Sequence, residues 1–256
     1  CTEIITYNNL KGDCSETLNH QNEVYFNTDG DLRIITSNNI PDHVVGLFGG
    51  GSGSLNPNQI EIYLKLFKAD LFIVVAFKKL PKSIFELPKI GTINLHTSLL
   101  PDYRGASPIN WVLINNEKKT GVSIFFINDK IDHGDIISQS VINLESETTA
   151  AQLHNSMIKV GSELMTDTLN NIFSKTFNTT IQQSSKNLNK APKINTQTTR
   201  INWNNSLLDI NNLIRGLSPY ISDNNFLKDK AKCPGAWFFL EFDGKKKRIK
   251  IIKSKI

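Results

Sequence analysis

A chain of 256 residues, 39% hydrophobic and 21% charged, is long enough for one large domain or two moderate ones and has the balance of an ordinary soluble globular protein. Its longest unbroken apolar run, Leu71–Phe77, suits a buried strand and is far too short to cross a bilayer. The net charge of +5 is uneven: Phe226–Ile256 carries an excess of seven positive charges, and the rest of the chain sums to −2. A basic end on a near-neutral body points to a polyanionic partner or to a solvated lysine face on a strand pair, and composition leaves both open.

Cys1, Cys14 and Cys233 form no CxxC pair and no metal spacing, which reads as a reduced compartment. No secretory leader is visible, so the expected location is cytoplasmic. Residue 1 is Cys rather than Met, so the chain reads as processed or trimmed.

In chain order, residues 1–54 carry weak signals. Leu32–Thr36 and Val44–Phe48 read as short strands, and Gly49–Ser54 has linker composition without the spacing of a phosphate-binding loop. Asn56-Pro57 is a helix start, and Ile60, Tyr63, Leu64 and Phe67 then fall on one helical face. A strand follows over Leu71–Phe77, then a turn, one helical turn over Lys82–Glu86, and a strand ending at His96. Pro108 opens a helix with Ile109, Val112 and Leu113 on one side.

Thr120–Ile127 and Asp135–Ile142 read as strands around a polar loop. Ser146–Thr149 precedes a long amphipathic helix whose buried stripe is Leu153, Met157, Val160, Leu164 and Ile172. Residues 174–190 have the composition of an inter-domain linker. Beyond Ala191 come a short helix over Asp209–Leu217 and a hairpin over Ala236–Phe242 and Arg248–Ile252. Asp243-Gly244 is its turn signal, and the lysines are expected to lengthen the loop. The expected organisation is therefore α/β: an atypical segment over 1–54, a domain over 55–173, a linker over 174–190, and a small β domain over 191–256 with too few strands to close a barrel.

The chemistry gathers at Gly91–Gly105. Alternation along a strand puts Asn94 and His96 on one face, at the carboxyl end where α/β sheets bind ligands. A core histidine is the plainer reading of His96, but it leaves Asn94 and the Ser98–Pro101 turn unexplained. Asp132, in the loop Lys130–Asp135, is the third expected member. An Asp beside a His fixes the imidazole tautomer, and an amide can donate to a developing oxyanion. The three suit direct attack of an amine on a carbonyl, with Asn94 and His96 stabilising the tetrahedral oxygen and Asp132 helping to take the amine proton. Turn chemistry is the plainer reading of Asp132, and His133 and Asp135 are expected to serve the turn or the surface. His20, His43 and His154 are scattered, and no metal set emerges.

Several blocks, in order, resemble the 10-formyltetrahydrofolate-dependent formyltransferase family. They are Asn94-Leu-His96, Ser98-Leu-Leu-Pro101, Arg104-Gly105, Thr120-Gly-Val122 and Asp132-His-Gly-Asp135. Ala191–Ile194, Arg200–Trp203, Ile214–Pro219 and Gly235–Trp237 look like the junction and carboxyl-terminal domain of the branch acting on methionyl-initiator tRNA. The resemblance spans about residues 55–256 and implies a Rossmann-like catalytic domain with a parallel-rich sheet, then an OB-like β-barrel domain that helps hold tRNA and is incomplete here. It puts the catalytic trio on Asn94, His96 and Asp132 and the folate-contacting segment on Ser98, Leu99, Leu100 and Pro101. It implies formyl transfer from 10-formyltetrahydrofolate to the amino group of methionine on initiator tRNA, for translation initiation, by a monomer that needs neither a metal nor a membrane.

A sugar-nucleotide N-formyltransferase shares the trio and the turn, and a non-catalytic folate- or RNA-binding remnant is a third reading. Residues 1–54 lack the family's opening motif. They resemble part of secreted YHYH-domain proteins through Ile34–His43.

Overall fold

The computed structural model describes residues 61, 64–65, 68–75, 79–183, 187–227 and 233–256, together with the backbone of three earlier strands. The chain divides into two compact units, residues 1–94 and 95–256.

In the first unit, β1 (Glu23–Phe26), β2 (Leu32–Thr36) and β3 (Val44–Gly49) run antiparallel to one another in sequence order. The third pairs in parallel with β4 (Leu71–Val75). The neighbour of β4 thus comes from the stretch whose sequence signals are weak, and β1 has no signal that predicts it. Leu71, Phe72 and Val74 are buried, as expected of a strand covered on both faces. Leu64 is helical and buried, whereas Asn56, Pro57, Ile60, Tyr63, Phe67 and most of the Gly-Ser run lie outside the described residues. The short helix α1 (Lys82–Phe85) buries Ile84 and Phe85, and the Phe85 carbonyl accepts from Thr92 Oγ1 at 2.7 Å. β5 (Gly91–His96) follows, with Thr92 and Ile93 buried.

The second unit holds α2 (Pro108–Ile114), β6 (Lys119–Phe126), β7 (Ile136–Asn143) and the 24-residue α3 (Ala150–Phe173). β6 and β7 pair antiparallel, with an irregularity at Ile124/Phe125. α3 starts as the sequence demands. Thr149 accepts from the Gln152 N–H, and Gln152 reaches back to the Thr149 N–H, a reciprocal cap that satisfies two otherwise orphaned donors. Its stripe of Leu153 and Met157 packs with Val112, Leu113 and Val122 in one core. α4 (Leu207–Gly216) lies against α2, where a Cβ on Gly216 would stand 2.8 Å from Ile114 Cγ1. The Arg215 guanidinium turns inward to the Leu113 carbonyl at 3.1 Å, and its burial lowers its pKa.

The expected barrel takes the form of two open two-stranded sheets among the described residues, β8 (Tyr220–Ser222) with β9 (Asn225–Phe226) and β10 (Ala236–Phe242) with β11 (Lys245–Ile251). The hairpin corrects one expectation. Phe242 pairs with Lys245, so the loop is only Asp243-Gly244. Both of these residues have positive φ, 51° and 61°, as a type I′ turn requires. The lysines extend the strand rather than the loop.

Candidate active site

β5 delivers His96 to the start of a loop, where the residue is 6% exposed. Nε2 lies 3.0 Å from the Tyr103 carbonyl. A carbonyl only accepts, so Nε2 carries the proton and Nδ1 is the nitrogen left for chemistry. Nδ1 is 3.8 Å from Asp132 Oδ2, within ion-pair range but beyond a direct hydrogen bond. Asp132 Oδ2 also accepts from the Gly105 N–H at 2.9 Å. His96 and Asp132, 36 positions apart in the sequence, are therefore brought together.

Asn94 stands two residues before His96 on the same strand, and its Oδ1 is buried without a hydrogen-bond partner among the described residues. An orphaned buried acceptor costs about 1–3 kcal/mol. It calls for an explanation, and one explanation is a partner that arrives with a reactant.

The Ser98–Pro101 turn is fixed from beneath by Ser123, which is wholly buried on β6. Its Oγ donates to the Ser98 carbonyl at 2.6 Å and accepts from the Leu100 N–H at 3.0 Å and from Gln139 Nε2 at 2.8 Å. Ser98 donates its own hydroxyl to the Asp102 carbonyl at 2.7 Å. The Ser98 and Leu100 side chains are thereby buried and committed, and Leu99 and Pro101 are the half-exposed pair. Gly121 lets β6 pass close by, since a Cβ there would fall 2.0 Å from the Ser140 carbonyl and 2.7 Å from Leu99.

Sequence reasoning misses four members of this network. Ser123 and Gln139 are two. Tyr103 is another: its backbone is left-handed (φ 59°), and its buried hydroxyl donates to Glu117. Burial and that carboxylate push the phenol pKa up. Gln182 is the fourth, and meets Arg104. Arg104 Nη1 donates to His133 Nε2 at 2.9 Å, and His133 Nδ1 donates to the Ile131 carbonyl at 2.6 Å, so His133 serves the loop as expected. Burial lowers the Arg104 pKa, while Asp132 and Asp102 oppose that shift. Among the described residues, no three His, Cys, Asp or Glu side chains gather as a metal site, and no helix is long and apolar enough to cross a membrane.

A second surface lies on the hairpin. Its pleat puts Trp237 and Phe239 on the face that carries Lys246, Arg248 and Lys250. The Arg248 guanidinium lies 4.1 Å from the Trp237 ring centroid, and Lys246 Nζ lies 4.7 Å from that of Phe239. Such contacts anchor the side chains while leaving their charge at the surface. Lys245 and Lys247 point to the opposite face.

This arrangement matches known proteins along most of the chain. Residues 23–169 match the formyl transferase family, and residues 193–256 match the formyl transferase C-terminal domain. The first match takes in β1–β3, which lie ahead of every motif that carries the sequence resemblance. A methionyl-tRNA formyltransferase from Flavobacterium johnsoniae is 47% identical over 75% of this chain and 57% of its own length. The chain spans about half the length of the curated relatives it matches. Among solved structures, an N-formyltransferase from Helicobacter canadensis in complex with folinic acid and dTDP-3-aminofucose is 26% identical, covering 57% of this chain and 54% of that one, with a TM-score of 0.50. A 4-N formyltransferase from Francisella tularensis shares the fold at a TM-score of 0.59 and 22% identity, over 79% of this chain and 78% of that one. With both halves matched in order around the His96–Asp132 pair, the chain belongs to the formyl transferase family.

Proposed function

We propose that this chain transfers a formyl group from 10-formyltetrahydrofolate to the amino group of methionyl-initiator tRNA. The observation that carries the reading is the His96–Asp132 pair at 3.8 Å beside the anchored Ser98–Pro101 turn. The amine attacks the formyl carbon and a C–N bond forms. Charge then develops on the formyl oxygen, where the Asn94 amide donates to it and His96 joins as the imidazolium, with Nδ1 protonated while Nε2–H stays on the Tyr103 carbonyl. Asp132 accepts the proton that the amine loses, and collapse of the intermediate expels the folate nitrogen, which is protonated as it leaves. The orphaned Asn94 Oδ1 gains an N–H partner from the incoming amine.

The folate binds at residues 98–101 through Leu99, Pro101 and backbone, because Ser98 and Leu100 are already committed. The folinic acid held by the Helicobacter canadensis relative supports this donor class. We assign the catalytic part to residues 55–173, to which the family match adds β1–β3, and the tRNA-holding part to residues 191–256, with residues 174–190 between them. The whole acts as a cytoplasmic monomer.

A sugar-nucleotide acceptor is the second reading, supported by the same relative and its dTDP-amino sugar. The higher identity to methionyl-tRNA formyltransferases, 47% against 26%, favours tRNA. The test is formylation of charged initiator tRNA and of a dTDP-amino sugar with 10-formyltetrahydrofolate, using Asn94→Ala as control. We expect transfer to tRNA, lost by about 10²–10³-fold in the variant. Transfer to the sugar alone would reverse the assignment.

A further inference from the structure

Gln182 lies beyond α3, in a stretch whose composition reads as a spacer, yet its side chain is 9% exposed and each of its polar atoms is used. Oε1 accepts from Arg104 Nη2 at 2.6 Å and Nε at 3.1 Å. Nε2 donates to the Asp132 carbonyl at 3.1 Å and to the Gly134 carbonyl at 2.7 Å. The backbone just before it is pinned, since Thr180 and Ile136 exchange both main-chain hydrogen bonds, at 2.8 and 2.9 Å. Further along, the Asn189 N–H donates to Asp102 Oδ1 at 3.0 Å, and the Asn189 carbonyl accepts from the Tyr103 N–H at 2.8 Å. A spacer would leave its amide in water, where glutamine is mostly found. Here one amide joins the loop after β5, the loop after β6 and its own segment.

We propose that Gln182 is a positioning residue for Asp132, an inference that rests on the catalytic reading of Asp132 given above. Asp132 has a left-handed backbone, with φ 56°. A non-glycine residue holds that conformation when its surroundings impose it. Gln182 Nε2 and Arg104 Nε both donate to its carbonyl, at 3.1 and 2.9 Å, and so fix the peptide plane that follows it. That plane sets the direction of the carboxylate toward His96 Nδ1 and the Gly105 N–H. The chemistry is specific to an amide, because the position needs an acceptor for a guanidinium and a donor for two carbonyls. A glutamate would keep the first and turn bare oxygen on the second.

The test uses the full chain with Gln182→Met, which keeps size without hydrogen bonds, Gln182→Ala, and the exposed neighbour Gln183→Ala as control. Two readouts are taken: hydrogen exchange of residues 128–136, which needs no turnover, and steady-state formylation. Gln182→Met is expected to speed exchange in residues 128–136 while leaving α3 protected. It should also lower kcat about 10- to 100-fold, with KM for donor and acceptor changed by less than about two-fold. Gln183→Ala should behave as wild type. Wild-type exchange and kcat in Gln182→Met would overturn the proposal. So would loss in Gln182→Ala restored by Met, which would mean packing alone, or faster exchange throughout the chain, which would mean a structural role. A wild-type chain that formylates no acceptor would sink the functional reading and leave the exchange result to decide this one.

Discussion

The loops around His96 and the hairpin Ala236–Ile251 spend polar side chains in opposite ways. In the loops, several polar groups are buried or half-buried and held by named partners. Ser123 uses its hydroxyl three times, and Gln182 its amide four times. In the hairpin, lysines and an arginine lie at the surface, with aromatic rings beneath two of them. The first pattern fixes atoms to within a fraction of an ångström, as bond-making chemistry needs. The second leaves charge solvated and adaptable, as binding to a phosphate backbone needs. The contrast teaches that polarity alone does not separate a rigid site from a solvated face; the number of committed hydrogen bonds per supporting group does.

Three changes test how far that contrast runs. The largest effect is expected at Gly134, where a Cβ would fall 1.5 Å from the Phe126 carbonyl oxygen. Gly134→Ala forces the loop off β6, and we expect a loss of about 3 kcal/mol or more in urea unfolding, together with loss of activity. Ser123→Ala comes next. It leaves a buried N–H, an amide and a carbonyl short of a partner, at a cost of about 1–3 kcal/mol. It should also raise KM for the formyl donor more than KM for the acceptor, because the turn it anchors is the proposed folate side.

The smallest effect on stability belongs to the hairpin. Lys246→Ala with Lys250→Ala should leave the melting temperature unchanged and weaken binding of initiator and elongator tRNAs alike. The slope of log affinity against log salt should flatten by about 0.7–0.9 for each phosphate that is no longer neutralised. Lys245→Ala with Lys247→Ala, on the other face, should change the slope less. Equal slopes for the two pairs would mean that the pleat does not select the binding face.

Much of this is legible in the sequence, for identifiable reasons. Two-residue alternation along β5 predicts Asn94 and His96 on one strand face, and the Asp-Gly signal places the hairpin turn. The amphipathic stripe makes α3 readable from Leu153 to Ile172, with Ser146–Thr149 just ahead of its start. Gln182 is not legible, because its partners lie 48 to 78 positions away and a glutamine in a polar run has no periodic signal. Ser123 leaves a faint one, a hydroxyl inside the apolar strand Thr120–Ile127, where a buried donor demands partners. The lysines mislead because strands are depleted in lysine. β11 tolerates them because both of its faces are largely exposed, and charge on an exposed strand opposes edge-to-edge pairing.

The central claim is that His96 and Asp132 act as one unit in formyl transfer. The most direct test is a double-mutant cycle on single-turnover formylation of methionyl-initiator tRNA, with His96→Ala, Asp132→Asn and the double variant, each checked for an unchanged melting temperature. Each single change should cost about 10²–10³-fold, and the double change should cost little more than either alone. Losses that multiply would show the two side chains working independently and would contradict the account.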